Sequence, residues 1–163
     1  MVAEIIILII IFTMLIIYML YLKSYFKVKK VFKHLRKFLD TRDTLVLKLI
    51  PEVKNKEIAG KIVMLIEERK ENFKTSYNNS ILSDIKLNSE LRKLYEYINT
   101  IKRNEVFDNV FRSILEFEKD LKNIRNKYNV SVEEYNKMLI KHKFMCLKVI
   151  RMKPLDTYKI VKY

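Results

Sequence analysis

Histidine is the side chain that most readily ligates metals and moves protons near neutral pH, and this chain carries two, His34 and His142. They stand far apart, each inside a basic cluster whose charge repels a metal ion, so both read as solvated surface. Cys146 is the single cysteine; it permits no internal disulfide and leaves any zinc site short of thiolates. Glu67-Glu68 and Glu133-Glu134 look like carboxylate dyads that share a proton, but neighbours on a helix point about 100° apart and cannot converge. With Gly60 as the only glycine, no glycine-rich loop can cradle a phosphate. No catalytic residue, metal ligand or cofactor-binding residue is predicted. What remains is a repeat: Tyr128-Asn129 returns seven residues later as Tyr135-Asn136.

A spacing of seven has meaning only on a helix, and the composition favours helices throughout. The 163 residues are one domain's worth, half of them apolar, enough for a real core. One glycine and two prolines cannot supply the turns of a many-stranded sheet, whereas Leu, Lys, Glu and Met suit helices. The expected class is all-α.

From Ile5 to Leu22 the chain runs 18 residues without a charge, the length a helix needs to cross roughly 30 Å of hydrocarbon. Glu4 is the only charge before this run and no small-residue cleavage site follows it, so the segment reads as a retained anchor rather than a signal peptide. Tyr18 and Tyr21 suit the interface. Lys23, Lys27, Lys29, Lys30 and Lys33 follow the run and no basic side chain precedes it, which predicts the N-terminus outside and the rest in the cytoplasm. The expected divisions are a transmembrane anchor over 1–22, a cytoplasmic bundle over 23–143 and a basic, partly apolar tail over 144–163.

Past the anchor, Val28, Val31, Phe32, Leu35, Phe38, Leu39, Leu45, Val46, Leu49 and Val53 form one helical stripe, continuous with the span. Pro51 predicts a kink or an end near Leu47 to Pro51. A second helix is expected over 58–73, a loop over Ser76 to Ser80, and a short third helix carrying Leu87, Leu91, Leu94, Tyr95, Ile98 and Ile101. In a fourth helix Phe107, Ile114, Leu121, Tyr128 and Tyr135 hold the first heptad position. Val110, Phe117, Ile124, Ser131 and Met138 hold the fourth. Both tyrosines thus share one face, where core packing with each hydroxyl bonded is preferred over a ligand-binding role, and each asparagine sits one step off it, where its amide could reach a neighbouring helix.

The order of these parts resembles the LemA family of bacterial membrane-anchored helical proteins. The matching residues are Leu49, Ile50 and Pro51, then Glu118, Arg125, Tyr128, Asn129, Tyr135 and Asn136. The chain departs from the family pattern where Leu45, Val46, Lys48 and Glu52 replace two Arg, an Asp and an Asn around Leu-Ile-Pro, and it lacks the Phe-Pro after the second Tyr-Asn. It looks like a divergent member. The resemblance implies an up-and-down four-helix bundle of long antiparallel helices attached to the membrane, with no established enzymatic activity.

The net charge of +14 is uneven, with +7 over 23–54 and +6 over 141–163. Lysine dominates arginine, and the excess lies at the ends rather than along a nucleic-acid-binding face. Three readings stay open: a membrane-anchored scaffold with a protein partner, a membrane-surface nucleic-acid binder, and an enzyme. The first is preferred, with the bilayer's anionic headgroups and an unidentified protein as partners and neither nucleic acid nor a small-molecule ligand expected. Lys143, Lys148 and Arg151, interleaved with Phe144, Leu147 and Ile150, either meet the membrane surface or cap the bundle.

Overall fold

The computed structural model describes residues 2–101, 105–143 and 152–158. Helix α1 spans Val2–Leu49, α2 Lys56–Thr75, α3 Tyr77–Thr100 and α4 Glu105–Lys141, with one 3-10 turn, Ile50–Glu52, between the first two. α1 stops where Pro51 can no longer donate a backbone hydrogen bond and its ring would meet the carbonyl of Leu47. Val53 N then closes the turn on Ile50 O at 3.1 Å.

Asn55 starts α2 as its N-cap, accepting from Ile58 N at 3.1 Å and so satisfying one of the amides that a helix start leaves unpaired. Asn55→Ala is expected to lower the unfolding free energy by about 1 kcal/mol while Asn55→Asp changes little, measured by chemical denaturation of the full chain in detergent.

The expected loop over Ser76 to Ser80 is not there. Only Ser76 leaves helical geometry, and α3 begins at Tyr77 and runs for 24 residues, so the third helix is not short either. The loop reading relied on Asn and Ser side chains competing for their own backbone. Here Ser80 Oγ donates to Ser76 O at 2.7 Å, a bond one helical turn back that a helix accommodates, and to Asn72 O of α2 at 3.0 Å, while Asn78 Oδ1 accepts from the distant Asp156 N. The backbone of the segment is left free to stay helical.

On α4 all five first heptad positions are buried, and at the fourth position Ile124 and Ser131 are buried while Val110, Phe117 and Met138 are half-buried. Ser131 interrupts the apolar pattern without an orphaned group, because its hydroxyl donates to Lys127 O at 2.9 Å.

The four helices run alternately up and down. α4 pairs with α1 in the opposite direction, Tyr135 lying beside Tyr21 and Phe117 beside Phe38. α2 and α3 form the second antiparallel pair. Two apolar clusters result. One gathers Val28, Phe32, Leu35 and Leu39 of α1 with Leu121 to Leu139 of α4, and the other gathers the end of α1, the start of α4 and most of α2 and α3.

The pairs differ in length. The α2–α3 hairpin ends around Phe32, whose ring centroid lies 5.7 Å from that of Phe73 and 4.3 Å from that of Tyr77. Nearer the N-terminus α1 and α4 continue beyond the hairpin, and residues 152–158 lie against them, with Asp156 N bonded to Asn78 Oδ1 at the start of α3. Met152 and Tyr158 are buried in the first cluster and Leu155 packs on it. This part of the expected tail is therefore core, while 144–151 lie outside the described residues.

α1 is long and apolar enough near its N-terminus to cross a membrane by length and composition. Its side chains from Val2 to Ile16 are exposed, and packing on the bundle begins with Ile17 and Tyr21.

Candidate functional site: a buried ionic layer and a tyrosine-asparagine ladder

Between the two apolar clusters lies a layer of charge contributed by all four helices. Arg42 and Asp43 come from α1, Arg69 from α2 and Asp84 from α3; each is at most 1 % exposed. Glu118 and Arg125 of α4 close the layer at its edge. Arg42 reaches Asp84 at 2.7 Å and Asn88 at 2.6 Å, Arg69 bonds Asp43 and reaches Asp84 at 3.3 Å, and Arg125 meets the other Asp84 oxygen at 3.0 Å. Asp84 thus holds three guanidinium groups at once. Burial alone would push its carboxyl up, but Arg42, Arg125 and Arg69 together outweigh that and hold it far below the usual carboxylate range.

The layer compensates itself, since three cations face three carboxylates. Its inner members are shut from solvent, so no substrate can approach them. The pairings tie all four helices together at one level of the bundle, with Arg42 Nε, Arg69 Nε and Arg125 Nε left without a hydrogen-bond partner among the described residues. Glu118 and Arg125, taken as motif residues from the sequence, meet here at 3.6 Å, and Tyr95 Oη donates to Glu118 at 3.4 Å. Arg42, Asp43, Arg69, Asp84 and Asn88 were not read from the sequence as members of any site. Leu49 is buried, Ile50 half-buried and Pro51 exposed at the turn that ends α1, past Asp43 on the same helix, and none of the three takes part in the ionic layer or the ladder.

The Tyr-Asn repeat forms the second part. The asparagines do not reach a neighbouring helix as expected; they hold the segment 152–158. Asn136 donates to Leu155 O at 2.8 Å and accepts from Leu155 N at 3.1 Å. Asn129 does the same to Tyr158, at 2.9 and 2.7 Å. Tyr135 Oη donates to Lys153 O at 3.1 Å and Tyr128 Oη to Asp156 O at 3.3 Å. Each pair therefore reads the same three-residue unit: the tyrosine takes a carbonyl, and the asparagine takes both main-chain groups two residues further on.

Geometry accounts for the spacing of seven. Seven helical residues advance about 10.5 Å, and three residues of extended chain advance about 9–10 Å. A repeat of seven on α4 therefore matches a repeat of three on a segment running antiparallel to it. The segment shows that period, since Met152, Leu155 and Tyr158 face the core. Leu121-Lys122 and His142-Lys143 stand at the adjoining heptads, so the ladder has two rungs.

Of the basic residues expected at a membrane surface, Lys23, Lys27, Lys29, Lys30, Lys33 and Lys143 are exposed, with Lys27 paired to Glu134; Lys148 and Arg151 lie outside the described residues. His34 is exposed against the edge of Phe38. Among the described residues, no group of three or more His, Cys, Asp or Glu is placed to hold a metal ion. No known family model matches the chain, and no curated protein matches it significantly.

Proposed function

We propose that this chain is a single-pass, LemA-like scaffold that holds a protein partner at the cytoplasmic face of a bacterial cell membrane. The observation that carries the reading is the continuity of α1. One 48-residue helix begins with an apolar stretch exposed on all sides and ends as the helix that contributes Arg42 and Asp43 to the ionic layer. A helix that is apolar all round and unpacked needs a non-aqueous surrounding. A continuous helix about 70 Å long transmits position from that surrounding to the bundle without a hinge. Basic residues confined to the C-terminal flank of the apolar stretch support the orientation.

The nucleic-acid alternative needs a bare basic face on the middle of the chain. Four of its lysines there are instead paired with carboxylates, Lys61 and Lys93 on Glu90, Lys86 on Glu68 and Lys74 on Glu71.

In intact cells Val2→Cys should be labelled by a membrane-impermeant thiol reagent, and Cys146 only after permeabilisation. The chain should stay with the membrane fraction in alkaline carbonate. Labelling of Cys146 alone would reverse the orientation, and release by carbonate would remove the anchor. Affinity capture from solubilised membranes tests the remainder: a reproducible protein partner supports the scaffold, while nuclease-sensitive co-purification supports the alternative.

A further inference from the structure

We infer that the Tyr-Asn face of α4 is a receptor for an extended peptide segment, filled in cis by residues 152–158, and that it accepts in trans a partner segment with apolar residues at every third position ending in Phe. The first ground is what the ladder reads. Asn129 and Asn136 bind main-chain N–H and C=O groups, which every residue other than proline offers, and the tyrosine hydroxyls take two further carbonyls. Main-chain bonding supplies affinity and register, and apolar sockets at fixed spacing supply selectivity, the division of labour used when a protein recognises an extended peptide.

The second ground is a misfit in the present occupant. Tyr158 is 5 % exposed, and its hydroxyl has no hydrogen-bond partner among the described residues. Burial, then the nearby Asp84 carboxylate, keeps that hydroxyl protonated, a buried donor that makes no hydrogen bond among the described residues. A buried donor left unpaired weakens binding. The ring itself is well placed, edge-on to Tyr128 at 5.8 Å and under the Arg125 guanidinium at 5.5 Å, contacts that a phenylalanine keeps. The cis segment thus occupies the receptor with a side chain whose aromatic part fits and whose polar tip does not. Tethering offsets the misfit, because a covalently attached segment competes at high effective concentration. A free segment with Phe in the third socket lacks the misfit and gains on the order of tenfold in affinity over the same segment with Tyr.

The inference gives the scaffold's partner a chemistry and rests on that reading only for the partner being a protein; its test needs neither orientation nor anchoring to hold. A protease recognition sequence is inserted between Lys148 and Val149 of the full chain, which is folded in detergent and then cut. The released fragment should remain bound through size exclusion. A synthetic peptide of residues 152–158 with blocked ends should displace it, and the version carrying Tyr158→Phe should do so at about tenfold lower concentration. A peptide N-methylated at the Leu155 and Tyr158 amides should displace nothing. On the unaltered chain, saturating Phe peptide should speed hydrogen exchange at the Leu155 and Tyr158 amides as the cis segment is released. A fragment lost on cutting with neither peptide binding, displacement by the N-methylated peptide, no advantage for Phe, or unchanged exchange in the unaltered chain would each overturn the inference.

Discussion

Asp84→Ala should destabilise the bundle by about 3–5 kcal/mol, at the upper end of what a single substitution does, because it leaves Arg42, Arg69 and Arg125 without their shared carboxylate. Two of those guanidinium groups are fully buried and cannot recover solvation by turning outward. The control is Glu134→Ala, which removes the exposed partner of Lys27 and should cost under about 1 kcal/mol. Denaturation of the full chain in detergent, followed by helical signal, reads both.

The contribution of Asp84 to the pH dependence has a definite sign. The folded pKa of Asp84 lies below its unfolded value of about 3.9, so its stabilisation is complete above about pH 4 and is lost as pH falls further toward the folded pKa. Asp43 acts in the opposite sense, since burial raises its carboxyl against the pull of Arg42 and Arg69, and protonation relieves it. Asp84→Asn should therefore be less stable than the natural chain at pH 6 and lose less stability between pH 5 and 3. An Asp84→Ala protein that melts within 1 kcal/mol of the natural chain, or an unchanged acid limb in Asp84→Asn, would show that the layer does not hold the helices.

The helices were legible in the sequence because each carries an apolar stripe that only packing can satisfy. The ionic layer was legible too, but as a set of gaps. On α1 the stripe passes Leu35 and Leu39, then resumes at Val46 and Leu49; the step between them falls on Arg42. On α2 it passes Ile62 and Ile66 and reaches Phe73 over Arg69, and on α3 Ile81 and Leu87 flank Asp84. A charge standing at core spacing in three successive helices is the signal of a buried network, and a stripe counted from its apolar members alone steps over it. The ladder's partner was not legible, because Asn129 and Asn136 read main chain. Main-chain groups are the same everywhere, so nothing in the composition of 152–158 marks it as their target. The helical start of α3 was hidden for a related reason: Asn78 is held by Asp156 N, remote in the sequence, and Ser80 bonds Ser76 O one turn back, which a helix accommodates.

Tyr128→Ala should cost on the order of 3 kcal/mol, as found for large buried aromatics, and Tyr128→Phe about 1 kcal/mol or less. The side chain is fully buried, with Phe32 at 5.7 Å on one side and Tyr158 at 5.8 Å on the other, so deleting the ring opens a cavity between α1, α4 and the 152–158 segment. Removing only the hydroxyl forfeits one bond to Asp156 O at 3.3 Å, and because Asp156 is exposed its carbonyl can turn to water. The large ratio between the two substitutions distinguishes a packed ring from a polar contact. Tyr128 also sits between the core and the receptor's third socket, so the Ala variant should lose protection from hydrogen exchange at Tyr158 N while Leu155 N, held by Asn136 one rung away, keeps more of its own. Equal costs for Ala and Phe would mean that the ring packs on nothing. Equal loss of protection at both amides would mean that the two rungs release the segment as a single unit, not one after the other.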